Sequence, residues 1–195
     1  CHYRVAVPSA KLGLPEVKLG LLPGAGGTQR LPRVVGAAKA LEMVTSGSPV
    51  GAKAALATGL VDALATEGQL TADAVAFAKA VVAEGKPLKR VRDLPVEGGT
   101  PELFADFRKA NARKFRGFEA PEANIKCIEA AATLPFDDGI KVERKLFVEL
   151  MSGVQSAAQR YVFFAERQAA KIPNLPEGTT ARKIAKVGII GAGTM

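Results

Sequence analysis

The sequence predicts an α/β protein, and three observations carry the prediction. Short apolar segments punctuated by Pro and Gly alternate with helix-like stretches over residues 1–85; residues 86–171 carry only helical apolar spacing; and an apolar strand, Lys186–Ile190, follows a linker over 172–185. Length and composition agree. The 195 residues, 48% hydrophobic and 24% charged, suffice for one sizeable core and exclude a disordered or collagen-like chain. No apolar run approaches the roughly 18–20 residues that span a bilayer, so no membrane span is expected. The opening Cys1-His2-Tyr3-Arg4 has neither a signal-peptide core nor an Arg/Ser-rich transit pattern. Because the chain opens on Cys and stops inside a glycine motif, it reads as a piece of a longer protein.

Taken in order, Tyr3–Val7 and Ala10–Leu14 read as two short strands. The cluster Pro23-Gly24-Ala25-Gly26-Gly27 fits neither helix nor strand and favours unusual dihedrals and close backbone approach. Thr28 is a candidate N-cap for a short helix to Val35, stopped by Gly36; a second helix covers Ala37 to Thr45. Pro49 and Gly51 open a helix ending at Gly59, and Leu60–Leu64 reads as a brief strand. A helix from Thr71 to Glu84, with Ala74, Val75, Ala78, Val81 and Val82 toward one side, completes the strand-helix part over 1–85.

The stretch 86–100 reads as a loop, and the helix from Pro101 aligns Phe104, Phe107 and Phe115 opposite Arg108, Lys109, Arg113 and Lys114. A helix over Pro121–Ala132 follows. Two patterned helices come next, one with Val142, Leu146, Phe147, Leu150 and Met151, the other with Val154, Ala158, Tyr161, Val162, Ala165 and Ala169. Both stripes are expected to bury as core, not to form a ligand box.

Two cysteines and one histidine assemble no Cys/His metal set and no disulfide framework, so no metal is expected. Catalysis by a Ser-His-Asp or Cys-His set would have to rest on His2, beside the start of the chain. The formal charge of +8 gathers in two stretches, 86–116 and 141–186, each with nine Lys/Arg against four Asp/Glu. Such charge can face nucleic acid, phospholipid or a phosphate-bearing small molecule, or simply water. A basic nucleic-acid module needs exposed aromatics among its cations, whereas the phenylalanines here sit on burial-type stripes, so no nucleic-acid partner is expected.

Two motifs carry chemistry. Glu16 is an acid in an almost wholly apolar neighbourhood, the setting in which desolvation lets a carboxyl hold or release a proton near neutrality; a salt-bridged loop glutamate is the other reading. Eight residues on, Gly24 offers a backbone N–H that a side chain would crowd and that can orient a water or a substrate oxygen, or it is simply a turn glycine. At the other end, the strand Lys186–Ile190 runs into Gly191-Ala192-Gly193-Thr194-Met195, a G-x-G start of the kind that cradles a dinucleotide pyrophosphate.

The stretch LGLPEVKLGLLPGAGGTQRLPRVVG, with ALEMVTSG and AKAALATGLVD after it, resembles the second half of the crotonase (enoyl-CoA hydratase/isomerase) domain. The text PFDDGIKVERKLFVELMSG, then Gln159-Arg160-Tyr161-Val162-Phe163-Phe164-Ala165-Glu166-Arg167, a linker and VGIIGAGTM resembles the hydratase–3-hydroxyacyl-CoA dehydrogenase junction of multifunctional fatty-acid β-oxidation enzymes. The resemblance implies the C-terminal part of a crotonase-like ββα spiral domain over 1–85, a helical extension over 86–171, a linker over 172–185, and the first strand of a Rossmann domain over 186–195. It implies a coenzyme A thioester substrate and NAD for the dehydrogenase part. Residue by residue, Glu16 of the Pro15-Glu16 pair matches the glutamate that exchanges a proton at the substrate α-carbon, and Gly24 matches the glycine whose N–H helps hold the added water. Arg167, with Lys171 as neighbour, falls where the family meets coenzyme A phosphates. Gly191, Ala192, Gly193, Thr194 and Met195 match the dinucleotide turn. The partner glutamate and the donors for the thioester enolate would precede Cys1, so these 195 residues alone are expected to lack hydratase activity. Δ3-Δ2 enoyl-CoA isomerisation, which can run on the Pro-Glu carboxylate alone, is the alternative chemistry. A homo-oligomer is possible in this family. A bacterial cytoplasm is the expected compartment, with a peroxisome as the alternative.

Overall fold

The structure, a computed structural model, describes residues 1–191 and 193. Four two-residue strands pair into two small ribbons: β1 (Val5–Ala6) runs parallel to β4 (Ala63–Leu64), with Val5 opposite Ala63, and β2 (Lys11–Leu12) runs antiparallel to β3 (Val50–Gly51), with Leu12 opposite Val50. Each expected strand, Tyr3–Val7, Ala10–Leu14 and Leu60–Leu64, forms over only two of its residues, and β3 lies where the opening of a helix is expected from Pro49 and Gly51.

Eight helices carry the rest: α1 (Gly27–Val35), α2 (Ala37–Ser46), α3 (Ala52–Ala57), α4 (Leu70–Ala83), α5 (Pro101–Phe115), α6 (Ala120–Thr133), α7 (Phe136–Ser152) and α8 (Val154–Ala169). Gly36 ends α1 and begins α2 at φ +79°, a conformation that costs a side chain but not glycine, so the two helices turn sharply against each other. Thr28 is not the N-cap expected of it. The chain enters α1 through Gly26 at φ +85°, and Thr28 lies inside the first turn with its hydroxyl turned to α7.

The main core forms where α1 and α2 meet α5 and α6, with Leu31, Leu41, Met43, Val44, Phe104, Ile125 and Ile128 buried together. Each such side chain contributes about 1.5–3 kcal/mol relative to exposure. A second cluster joins Leu21 and Leu22 to Ala120, Cys127 and Leu150, with Phe147 against it. These clusters join residues on both sides of residue 85, with α5 and α6 packed on α1 and α2, and α6 and α7 packed on Leu21 and Leu22. Thr100 caps α5 by accepting from Leu103 N–H at 3.3 Å, and Arg108 ties α5 to α6 through forked bonds to Glu122 and Glu129 at 2.6–3.2 Å. Those two carboxylates hold the Arg108 guanidinium's pKa above its ordinary value.

Three apolar segments, on α4, on α8 and over 186–190, are less covered than their patterning suggests. The apolar side of α4 buries no residue, leaving Val75 and Val82 exposed; only the edge contact of Phe77 with Tyr3, at 5.9 Å between ring centroids, leans it toward β1. The α7 stripe does bury, but along α8 Val154, Tyr161 and Val162 are exposed and only Ser156 is buried, because α8 departs from the core after its first turn. Residues 186–190 are exposed and carry no strand pairing among the described residues.

Candidate functional site

Pro15 leads directly into a 3₁₀ turn, Glu16–Leu19, closed by Lys18 N–H donating to Pro15 O at 3.0 Å and ended by Gly20 at φ +67°. Two glycines that sequence reading passed over set the position of this turn. A Cβ on Gly20 would lie 3.0 Å from Ser156 Cα, so the first turn of α8 packs directly on the backbone there. A Cβ on Gly47, at φ +60° after α2, would lie 3.0 Å from Val17 Cγ1 and 3.2 Å from Pro15 Cα. Glu16 is half-buried, and its Oε2 is buried with no hydrogen-bond partner in the protein. Glu16 is not held in a salt bridge among the described residues, as the alternative reading of it required.

The chain then descends into the core at Leu21, Leu22 and Pro23, all buried, and Asn124 Nδ2 donates to Leu21 O at 3.3 Å. It resurfaces at Gly24, which is exposed. A side chain at Gly24 has no room: a Cβ would enter the Phe147 ring, 2.6 Å from Cγ. Gly24 and Glu16 thus stand at the two ends of one segment whose middle is anchored.

A buried acid holds the far end. Glu143 of α7 is 1% exposed, and its carboxylate accepts from Gly26 N–H at 2.6 Å, from Thr28 N–H at 3.1 Å and from the Thr28 hydroxyl at 2.5 Å. Burial raises its pKa above the ordinary carboxylate value, while these donors and Arg30 pull the other way. Gln29, fully buried beside it, donates to Cys127 O at 2.9 Å and lies against Gly139, where a Cβ would collide with its amide. The sequence did carry a signal for Glu143: four residues before Phe147 and seven before Leu150, it occupies the core-facing stripe of α7.

A cavity of about 600 Å³ lies on the other side of α1, with Leu12, Leu14, Leu31 and Met43 in its wall and Arg4, Lys89 and Arg92 at its rim. Gly13 and Leu14 belong to it; Glu16 and Gly24 do not. Much of the rim charge is engaged already: Arg4 Nε donates to Leu60 O at 2.5 Å, Lys89 pairs with Asp62, and Arg92 pairs with Asp137 at 2.7 Å. Phe136 faces three guanidinium groups, those of Arg30, Arg33 and Arg92, at 5.1–5.3 Å from its centroid, and burial lowers the Arg33 pKa.

The other expected residues are not brought to this segment. Arg167 lies exposed near the end of α8, bonded to its own helix through Phe163 O at 3.2 Å and stacked on the Phe163 ring. Lys171 is exposed beyond it. Gly191, at φ +86°, and Gly193 are exposed on a stretch without helix or strand, while Ala192, Thr194 and Met195 lie outside the described residues. Among the described residues, none is placed to cradle a dinucleotide. Among the described residues no helix is long and apolar enough to cross a membrane, and no group of His, Cys, Asp and Glu is placed to hold a metal ion.

Comparison with known proteins connects this geometry to a family. The peroxisomal bifunctional enzyme of Danio rerio is 43% identical over 204 aligned residues, which take in all of this chain and 28% of that protein. The fatty acid oxidation complex subunit alpha of Shewanella sp. (strain MR-4) is 40% identical, again over all of this chain and 28% of its own length. The chain thus spans little more than a quarter of these relatives. Among solved structures, carnitinyl-CoA hydratase from Mycobacterium avium superposes with a TM-score of 0.55 at 25% identity, covering 85% of this chain and 52% of the hydratase. The fold is accordingly α/β and crotonase-like, rich in helix and sparing in strand. The family model for enoyl-CoA hydratase/isomerase matches residues 1–118, and the chain belongs to that family.

Proposed function

We propose that Pro15–Gly27 forms one wall of a site that hydrates 2-enoyl-CoA thioesters, within a multifunctional β-oxidation enzyme. Glu16 exchanges the proton at the substrate α-carbon, and the Gly24 N–H holds the water that adds across the double bond. The observation that supports this reading is the unpartnered, buried Glu16 oxygen, with the exposed Gly24 eight residues on in a loop held at Leu21 and at Gly26. On this reading the reaction also needs a second carboxylate and donors to the thioester enolate, besides Glu16 and Gly24. The family's name spans isomerisation as well, which needs the Glu16 proton exchange without the added water.

The domain reading is ours too: residues 1–85 and 86–171 as the crotonase-type part and its helical extension, 172–185 as linker, and 186–195 as the start of an NAD-binding domain. Its support is the G-x-G motif after an apolar segment and the relatives named as bifunctional enzymes. Arg167 would meet coenzyme A phosphates once α8 has its neighbours. For compartment we keep the bacterial cytoplasm, supported by the Shewanella relative, with the peroxisome as the alternative that the zebrafish relative supports.

The test is Glu16→Gln in the intact protein. Crotonyl-CoA hydration is expected to fall about a hundredfold or more, the scale of a lost acid-base group, while NAD-linked oxidation of 3-hydroxybutyryl-CoA is unchanged. Hydration at the parent rate would overturn the assignment of Glu16.

A further inference from the structure

We infer that Glu143 is a positioning residue for the hydration step, holding the Gly24 N–H where the water must sit; this rests on the reading of Glu16 and Gly24 above. Burying a carboxylate is costly unless its oxygens are satisfied. Glu143 is buried and yet is not paired with any lysine or arginine among the described residues; its partners are two backbone N–H groups and one hydroxyl, all from Gly26 and Thr28. These N–H groups lie at the start of α1, where the positive end of the helix dipole faces the carboxylate.

The geometric consequence falls on the loop. Gly26 sits at φ +85°, which glycine adopts freely, and it is its N–H, donating to Glu143 Oε1 at 2.6 Å, that ties the backbone there to α7. Gly24 is two residues away, with Phe147 of the same helix α7 pressed against its Cα. One turn of α7 therefore grips the loop twice, by a carboxylate at Gly26 and by a ring at Gly24. Upstream, Asn124 fixes Leu21, so the Gly24 N–H is left little freedom to move. Glu16, by contrast, lies on the turn packed by Gly20, Gly47 and the first turn of α8, and none of the bonds of Glu143 reaches that turn.

That division sets the test. In the intact protein, Glu143→Gln turns one acceptor oxygen into an amide that faces the Thr28 N–H, donor against donor. Thr28→Val removes the hydroxyl, with its bond to Glu143 and the one it accepts from Gln29 Nε2 at 3.2 Å, and Thr28→Ser restores it. Two rates are read for each variant: hydration of crotonyl-CoA, which needs Gly24 and its water, and deuterium exchange at the α-carbon of butyryl-CoA in D2O. The exchange moves a proton from carbon to the Glu16 carboxylate and returns a deuteron, without the added water. Glu143→Gln is expected to lower kcat for hydration about ten- to a hundredfold, with KM near the parent value, as for a misplacement approaching 1 Å, and to leave exchange within twofold. Thr28→Val should show a smaller loss of the same kind, recovered in Thr28→Ser.

Loss of hydration and exchange in equal proportion would mean a merely structural role and would overturn the inference, as would hydration retained in both variants. Glu16→Gln, run alongside, separates this from failure of the underlying reading: if it spares both rates, the site itself is misassigned. Should Glu143→Gln not fold, Thr28→Val decides by the same ratio.

Discussion

Gly24→Ala tests the packing argument most directly. Gly24 does not have a positive φ, so alanine fits its backbone without strain and any penalty comes from the methyl group. The new Cβ would lie 2.6 Å from Phe147 Cγ and 2.8 Å from Cε2, whereas carbons rest at about 3.5–4.0 Å. Either the ring or the loop must retreat by roughly 1 Å. Overpacking of this kind costs about 1–3 kcal/mol of stability, and the same displacement of the N–H costs about a hundredfold in rate. Crotonyl-CoA hydration by the intact protein and thermal unfolding are to be measured for Gly24→Ala, Phe147→Leu and the double variant. Phe147→Leu, which removes part of a half-buried ring, should cost about 0.5–3 kcal/mol on its own, and in the double variant the two changes should couple favourably by about 0.5–3 kcal/mol, recovering rate and stability together. A Gly24→Ala variant with parental kcat would refute the reasoning, and a slow variant that Phe147→Leu does not help would show that the methyl group blocks the water directly.

Two further outcomes follow from buried groups. Glu143 has a folded-state pKa raised by burial above its ordinary 4.5, so over the interval from that value upward the folded chain keeps a proton that the unfolded chain has lost. Stability from this group is therefore greatest in acid, falls as pH rises through the interval and is flat above it; in urea unfolding across pH, the difference between the parent and Glu143→Gln should shrink as pH rises, and a difference that grows would contradict this. Cys127 is fully buried, and burial pushes its thiol up to about 12, so at neutral pH it stays protonated and closed to solvent. A disulfide reagent should titrate only the exposed Cys1 in the native chain and both thiols in denaturant; rapid native reaction of Cys127 would show that the α6–α7 contact opens.

Helix placement was legible because it depends on near neighbours. The spacing of Phe104, Phe107 and Phe115, the glycine at 36 and Pro101 at the first position of α5 are local signals, and α1, α2, α5, α6 and α7 form close to where they point. Strand lengths were not legible, because a strand extends only as far as its partner does. Amphipathic stripes told which faces want to be buried without telling whether a partner is present: the α7 stripe found one in Leu21 and Leu22, while the α4 and α8 stripes stayed in water.

The same division runs through the site. The sequence by itself determined the chemistry on offer: a carboxylate after a proline, a glycine loop eight residues on, a scarcity of metal ligands, and a G-x-G turn at the end. Each of these is a property of residue type and short spacing. Only the tertiary structure decided that Glu16 keeps an unpartnered buried oxygen, that Phe147 rather than a backbone requirement keeps Gly24 a glycine, and that Glu143 reaches across 117 residues of sequence to Gly26. Those outcomes depend on which groups arrive beside one another when α7 packs on α1 and α6, and burial, which sets both the cost of a charge and the room for a methyl group, exists only after that packing.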